Sequence, residues 1–239
     1  MLPASRLIVV LAVALGVLTA GAFALQAHDR KDRLADADLT MQRYVVSRLA
    51  APAPPRVGAN WVQRLSRAVG IPAPAVRAYV RAQRGAAGDC DIGWTTLAGI
   101  GYVESHHGTL GGRSLLADGR SSSPIVGPAL DGRGDFAEVR STPASQSLHG
   151  DAVWEHAVGP MQFLPETWDR YAADGDGDGH SDALDLDDAA TTAARYLCAS
   201  GGDLRTGVGW EKAVLAYNHS GAYVDAVYAA ATAYATRAR

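Results

Sequence analysis

A carboxylate lies on the apolar stripe of a predicted helix. The helix is predicted over residues 92–105, and Leu97, Ile100 and Gly101 mark its buried face. Glu104 follows them at helical spacing and therefore projects from the same face. Burial there would disfavour the charged form and raise the pKa of the carboxyl group, so that Glu104 could act as a general acid. The alternative is that the helix has left the core at Glu104 and the side chain is solvated.

An acidic, glycine-rich segment at residues 174–185 fits the pattern of a calcium-binding loop. Gly179 stands at the sixth position, where the chain must turn sharply, and acidic residues stand at positions 1, 3, 5, 9 and 12. A structural Ca²⁺ is predicted, because five clustered carboxylates would otherwise repel one another; an acidic surface loop is the alternative. The predicted ligands are Asp174, Asp176, Asp178, Asp182 and Asp185, with the backbone carbonyl of His180 at position 7.

The start of the chain predicts export. Residues 7–25 contain no charged side chain, and small residues around Ala22 provide plausible cleavage sites. This stretch is also long enough for a minimal membrane-spanning helix. Residues 1–27 therefore predict a signal peptide or a retained membrane anchor, and either places the rest of the chain outside the cytoplasm.

Export also bears on the two cysteines of the chain. In an oxidising compartment, a disulfide between Cys90 and Cys198 is the expected state. The bond would join the start of the Glu104 helix to the helix that follows the acidic segment. Two free buried thiols are the alternative.

The composition is that of a globular domain. The 239 residues are 48% hydrophobic and 20% charged, which excludes a disordered chain and a protein with many membrane spans. The formal charge of −3 argues against nucleic-acid binding, and two cysteines are too few for a four-cysteine zinc site. A monomer is expected, with membrane contact only through the N-terminal segment.

Helical periodicity dominates the rest of the chain. Residues 28–58 predict a tether that ends in a Pro/Ala-rich linker, and residues 59–239 predict one folded domain that is mainly α. Residues 111–150 are rich in Gly, Ser, Pro and Asp and predict a long irregular insertion, which is usually functional. After two helices before residue 92, the later helices are predicted over residues 92–105, 165–171, 187–199, 210–218 and 222–235.

Three short motifs follow one another in this domain. They are a Glu-Ser pair within residues 101–108, a Gly-Pro-Met-Gln stretch within 159–168, and Ala-Tyr-Asn at 216–218. In this order they resemble the motifs of soluble lytic transglycosylases, most closely those of actinobacterial exported lytic murein transglycosylases related to the membrane-bound B type. The resemblance implies a lysozyme-like helical domain, here with an irregular insertion and an EF-hand-like calcium loop.

The resemblance also implies a reaction. The enzyme would cleave the β-1,4 bond between N-acetylmuramic acid and N-acetylglucosamine in peptidoglycan, without an organic cofactor. Glu104 would protonate the glycosidic oxygen and then accept the proton of the muramoyl 6-hydroxyl, which leaves a 1,6-anhydro sugar. One carboxylate can suffice here, whereas a retaining glycosidase needs a second about 5–5.5 Å away. A hydrolytic muramidase of the same fold and a catalytically silent peptidoglycan-binding module are the alternatives.

Supporting residues are implied by the same motifs. Ser105 would bond the catalytic carboxylate or the substrate, and Met161 and Gln162 would line the sugar groove. Tyr217 would place its hydroxyl near the catalytic carboxylate, and Asn218 would hold the substrate or the helix end. An ordinary place in a helix is the alternative for Ser105 and Tyr217.

Overall fold

The computed structural model describes residues 44–51, 57–86, 90–134 and 137–239. Within these ranges the chain forms one 3₁₀ helix and eight α-helices, and extended pairing is limited to isolated bridges. The predicted mainly α fold is confirmed. The 3₁₀ helix is Val46–Arg48, and the α-helices are α1 (Ala59–Val69), α2 (Ala73–Gly85), α3 (Trp94–Ser105), α4 (Pro143–His149), α5 (Pro165–Tyr171), α6 (Leu186–Gly201), α7 (Gly207–Tyr217) and α8 (Gly221–Arg237).

Glycine and proline mark helix boundaries as the sequence predicts. Helix α1 ends at Gly70, whose φ of 73° lies in the left-handed region. Helix α5 begins with Pro165, because the first helical position needs no N–H donor. The predicted bounds of α5 are confirmed, and those of α3, α6, α7 and α8 agree to within about three residues.

Helix α3, which carries Glu104, is buried between α2 and α8. A Cβ at Gly99 would lie 2.7 Å from the carbonyl oxygen of Val227 on α8, so this close approach requires glycine. Gly101 makes room in the same way for the hydroxyl of Tyr79 on α2. These two contacts determine the rotation of α3 about its axis, and with it the direction of Glu104.

Residues 44–51, which the sequence assigns to the tether, pack against the helical domain. The ring of Tyr44 lies 5.2 Å from the ring of Trp210 on α7. The hydroxyl of Thr95 on α3 donates to the carbonyl of Leu49 at 2.5 Å. Tyr44 and Leu49 are both buried, so the folded unit includes part of the predicted tether.

The long insertion is more ordered than its composition predicts. It contains α4, a helix of 7 residues that begins with a capping box between Thr142 and Ser145. Extended segments before and after α4 are joined by isolated bridges, among them one between Val126 and Val158. So short a helix shows too little periodicity to be predicted.

The predicted disulfide is confirmed. Cys90 and Cys198 are bonded, with Cα atoms 5.4 Å apart and a sequence separation of 108 residues. The bond joins the segment just before α3 to the last turns of α6, as the sequence predicts.

The predicted signal peptide or anchor at residues 1–27 lies outside the described residues. Residues 28–43 of the predicted tether and part of its Pro/Ala-rich linker also lie outside them. Of the helices that the structure describes, none is both long and apolar enough to cross a bilayer.

Candidate active site

An open groove lies where α3, α5, α6 and α7 meet. It encloses about 660 Å³, part of it continuous with solvent. Glu104, Gln162 and Tyr217, which come from three separate motifs, all line it. Motifs far apart in the sequence therefore share one cavity. The other lining residues are Phe163, Leu164, Thr167, Tyr196, Ala216 and His219.

Glu104 is the titratable group at the buried side of this groove. The residue is only 5% exposed, and burial raises the pKa of its carboxyl group from 4.5 to about 8. The hydroxyl of Tyr223 on α8 donates to Oε1 at 2.5 Å and opposes this shift, because it stabilises the charged form. At neutral pH the carboxyl group is protonated, which is the state a general acid needs. A solvated Glu104, the alternative left open by the sequence, is excluded.

The two carboxyl oxygens of Glu104 have different surroundings. Oε1 accepts the hydrogen bond from Tyr223. Oε2 is buried and has no hydrogen-bond partner among the described residues. Since Oε1 already accepts a hydrogen bond from the tyrosine hydroxyl, the proton of the carboxyl group belongs on Oε2. No described residue accepts that proton, so it stays available for transfer.

The turn after Val158 presents Gln162 to the groove. Val158 and Phe163 exchange backbone hydrogen bonds of 2.8 and 2.9 Å across the turn. Gln162 adopts a left-handed φ of 50°, which is uncommon for a residue with a side chain. Its Nε2 donates to the carbonyl of Gly159 at 2.9 Å, and its Oε1 lies against Gly127, where an added Cβ would be 2.6 Å away. The amide of Gln162 is therefore held from two sides.

Comparison with known families bears on the part of the chain that carries Gln162 and ends near Tyr217. Residues 142–214 match the family described as the transglycosylase SLT domain. The chain therefore resembles the lytic transglycosylases over this range. Proteins of this family are enzymes that cleave glycosidic bonds, in agreement with the order of the three motifs.

Solved structures similar to this chain include those of two bacterial proteins. One is the Escherichia coli lytic transglycosylase Slt35 in complex with calcium, which is 17% identical; the likeness has a TM-score of 0.42 and covers 75% of this chain and 79% of that chain. The other is SltB3 from Pseudomonas aeruginosa in complex with NAG-anhNAM-pentapeptide, which is 18% identical; the TM-score is 0.41 and the coverage is 84% of this chain and 76% of that chain. Comparison with curated protein sequences gave no match.

Ser105 and Met161, two residues predicted to act at the groove, are buried. Ser105 is fully buried, donates to the carbonyl of Pro160 at 2.5 Å and accepts from the backbone N–H of Gly108 at 2.8 Å. The side chain of Met161 is also fully buried and does not line the groove. The predicted contacts of both residues with the substrate stay predictions. In the structure, Ser105 joins the end of α3 to the turn that carries Gln162.

Tyr217 and Asn218 stand at the end of α7. Tyr217 lines the groove, but its hydroxyl donates to the backbone carbonyl of Met161 at 2.8 Å rather than to Glu104. The tyrosine that bonds the carboxyl group of Glu104 is Tyr223, which the motifs did not indicate. Asn218 is 3% exposed, lies outside the groove lining and forms the C-cap of α7. It holds the helix end, which was one of its two predicted roles.

In the acidic segment, the carboxylates that meet differ from the predicted set. Oxygens of Asp174, Asp176 and Asp188 lie within 4.8 Å of one another. Asp188 comes from the first turn of α6 and accepts from the backbone N–H groups of Gly175 and Asp182 at 2.7 and 2.8 Å. The cluster thus joins the loop to a helix that begins beyond the predicted segment.

The remaining predicted calcium ligands have other partners. Asp185 is the N-cap residue of α6, where its side chain accepts from the backbone of Asp187 at 2.8 Å. Asp182 forms an ion pair with Arg120 at 2.6 Å. Asp178 accepts from the backbone N–H of His180 at 2.8 Å. Asp185 is thus occupied at the start of α6 and is not among the three carboxylates that meet.

Replacing Tyr223 with phenylalanine tests the hydrogen bond to Glu104. Without this donor the pKa of Glu104 rises above about 8, so the loss of activity at alkaline pH should move to higher pH. At neutral pH kcat should fall about tenfold, because the acid is no longer oriented. A pH–rate profile on purified peptidoglycan measures both effects. The matched control is Tyr102→Phe, since Tyr102 is exposed; an unmoved profile for Tyr223→Phe would contradict the proposed link.

Proposed function

We propose that the enzyme cleaves the β-1,4 bond between N-acetylmuramic acid and N-acetylglucosamine in peptidoglycan and leaves a 1,6-anhydromuramoyl end. The observation that carries this proposal is the carboxyl group of Glu104, which is buried at the groove and has a pKa of about 8. Among the described residues that line the groove, Glu104 alone has a carboxyl group. A mechanism that uses one carboxyl group twice fits this lining better than one that uses two.

The reaction proceeds in two proton transfers at Glu104. First, Oε2 donates its proton to the glycosidic oxygen while the bond from that oxygen to C1 of the muramoyl sugar breaks. The resulting carboxylate, still bonded to Tyr223, then accepts the proton of the 6-hydroxyl as its oxygen bonds to C1. The acid is thereby regenerated, and no water enters the product. Exclusion of water from the buried carboxylate favours this outcome over hydrolysis.

The other groove residues would bind and orient the glycan. The Gln162 amide can bond an N-acetyl or hydroxyl group, because its backbone and both amide atoms are already held in place. The rings of Tyr196 and Tyr217, 5.8 Å apart, offer apolar faces to the sugar rings. These residues would contribute to KM rather than to proton transfer.

The two alternatives differ from this proposal in the product. A hydrolytic muramidase leaves a reducing end that is heavier by one water molecule, and a silent binding module leaves the glycan intact. Mass spectrometry of peptidoglycan digested by the purified enzyme therefore decides among the three. Anhydro ends are expected; fully hydrated ends would overturn the transglycosylase mechanism for this chain.

The reaction would take place outside the cytoplasm. The disulfide between Cys90 and Cys198 supports this placement, because such bonds persist in oxidising compartments. Residues 1–27 would direct export, as a cleaved signal or as an anchor at the outer face of the membrane. That the enzyme acts as a monomer remains a prediction.

A structural calcium ion is proposed for the acidic segment. Asp174, Asp176 and Asp188 would hold it, since three carboxylates within 4.8 Å are ligands of the hard type that Ca²⁺ prefers. Burial raises the pKa of Asp188, and the charges of Asp176 and Asp174 raise it further. A bound cation would relieve this repulsion and fix the loop to α6. It takes no part in the proton transfers at Glu104.

Calcium should raise the thermal stability of the protein. At a free concentration about 100-fold above Kd, the expected gain is about 2.7 kcal/mol of unfolding free energy. Differential scanning calorimetry with Ca²⁺ and with a chelator measures it. The variants Asp174→Asn and Asp188→Asn should lose the gain in stability. Asp169→Asn should keep it, because Asp169 is an exposed residue of α5. A melting temperature indifferent to chelator in the parent protein would contradict the proposed site.

A further inference from the structure

Two histidines in the insertion bond to two carboxylates away from Glu104. Nε2 of His149 lies 2.7 Å from Oε1 of Glu155, and Nε2 of His156 lies 3.1 Å from Oδ2 of Asp151. The ring centroids of the two histidines are 4.9 Å apart. None of these four residues lines the groove, and the proposed chemistry does not use them.

His156 faces a hydrogen-bond acceptor on each side of its ring. Nδ1 lies 2.7 Å from the carbonyl oxygen of Gly127. On the other side stands Asp151, whose pKa is lowered to about 2 by the backbone N–H of Val153 and by the bond from His156, so it is ionised. A carbonyl and a carboxylate only accept, and the ring therefore satisfies both only as an imidazolium.

His149 does not need a second proton. Its Nε2 donates to Glu155, and its Nδ1 accepts from the backbone N–H of Asp151 at 3.2 Å. The neutral ring thus has a complementary partner on each side. Glu155 also accepts from the backbone N–H of His156 at 3.0 Å. Glu155 thus bonds the ring of His149 and the backbone of His156, whereas Asp151 bonds the ring of His156.

Gly127 connects this network to the groove. Its backbone N–H donates to the carbonyl of Ala157 at 2.8 Å, while its carbonyl accepts from His156. On its other side it packs against Oε1 of Gln162 so closely that an added Cβ would be 2.6 Å from that atom. The position of Gly127 therefore determines the room available to the Gln162 amide.

We infer that His156 is a positioning residue of the glycan groove, because its bond to the Gly127 carbonyl holds Gly127 against the amide of Gln162. The inference rests on the proposed function, in which Gln162 binds the glycan. Loss of the bond to the Gly127 carbonyl would let Gly127 move relative to the amide of Gln162. It should raise KM without changing the proton transfers that set kcat.

The variant His156→Gln tests the inference through the split between KM and kcat. A glutamine cannot donate to both acceptors, so KM for soluble glycan strands should rise about tenfold at about pH 6 while kcat stays near that of the parent enzyme. The same factor should appear in Kd for those strands when His156→Gln is combined with Glu104→Gln. Binding by the double variant, compared with binding by Glu104→Gln alone, does not require cleavage. The comparison therefore reports on His156 even if the proposed reaction is wrong.

Asp151→Asn provides a second, more conservative test. Its Oδ1 can still accept from the backbone of Val153 and Trp154, as in the parent. Its amide can now donate to Nε2 of His156, so a neutral ring keeps its proton on Nδ1 for Gly127. KM should therefore stay near that of the parent, in contrast to the rise expected for His156→Gln.

Two results would overturn the inference. One is a folded His156→Gln enzyme with the KM and Kd of its parent. The other, which holds even if that variant fails to fold, is a folded Asp151→Asn enzyme whose KM is about tenfold higher than that of the parent, because this variant keeps the donor to the Gly127 carbonyl. Absence of anhydro product from the parent would count against the proposed function and would leave the Kd comparison intact.

Discussion

Replacing Glu104 with glutamine should abolish most glycan cleavage while glycan binding persists. The amide has nearly the shape of the acid but can neither donate nor accept the transferred proton. General acid–base groups contribute about 10²- to 10⁴-fold, and a residue used in both steps should lie at the upper end of this range. Turbidity clearance of purified cell wall and quantification of anhydro ends measure the loss.

The same substitution should make the protein more stable than the parent at neutral and alkaline pH, although it lowers activity. The pKa of Glu104 is about 8 in the folded protein and 4.5 ordinarily. A raised pKa contributes stability that is present below about pH 4.5 and is lost as the pH rises through about 8. The parent enzyme should therefore lose up to about 5 kcal/mol over this interval relative to Glu104→Gln. Denaturant unfolding at several pH values measures this difference.

The control for both measurements is Glu166→Gln on α5. The side chain of Glu166 is 84% exposed and forms a surface pair with Arg170, so activity and the pH dependence of stability should match those of the parent. Full activity in Glu104→Gln would refute the assignment of the acid. A stability difference that does not vary with pH would show that Glu104 is ionised in the folded enzyme.

Loss of the disulfide should have the largest effect on stability. The bond between Cys90 and Cys198 closes a separation of 108 residues, and the chain-entropy account assigns about 4–5 kcal/mol to such a loop. The double variant Cys90→Ala with Cys198→Ala should lose a large part of this unfolding free energy. Chemical denaturation of the two proteins under identical conditions gives the difference.

Reduction of the parent enzyme is the matched control for this variant. Reductant should lower its stability to about that of the double variant and leave the double variant unchanged. Thiol titration of denatured, unreduced parent enzyme should find no reactive group. If the double variant is as stable as the oxidised parent, the bond contributes nothing to the folded state.

The local sequence pattern was sufficient to predict most of the helices and two of the residues that line the groove. The periodicity of α3 placed Glu104 on the buried face, and Pro165 set the start of α5. Short motifs brought Gln162 and Tyr217 to the same groove. Such features depend on neighbours within a few turns of helix, which the sequence displays directly.

Contacts between distant elements could not be read in this way. Tyr223 meets Glu104 only because α8 crosses α3 at the glycine contact of Gly99. Ser105 faces Pro160 for a similar reason, since the turn after Val158 covers the end of α3. Asp188 had a detectable signal, because it lies one helical turn beyond Asp185, but the twelve-position loop pattern stops before it.

The turn that carries Gln162 rests directly on the chain that closes the acidic segment. Gly159 has a φ of 79°, and a Cβ there would collide with the carbonyl oxygen of Ala183. No other amino acid can occupy position 159 unless the backbone at Ala183 retreats. Substitutions in the acidic segment are therefore tolerated only if they leave the carbonyl of Ala183 in place. A library that varies the acidic segment and the turn that carries Gln162 independently should yield few active clones.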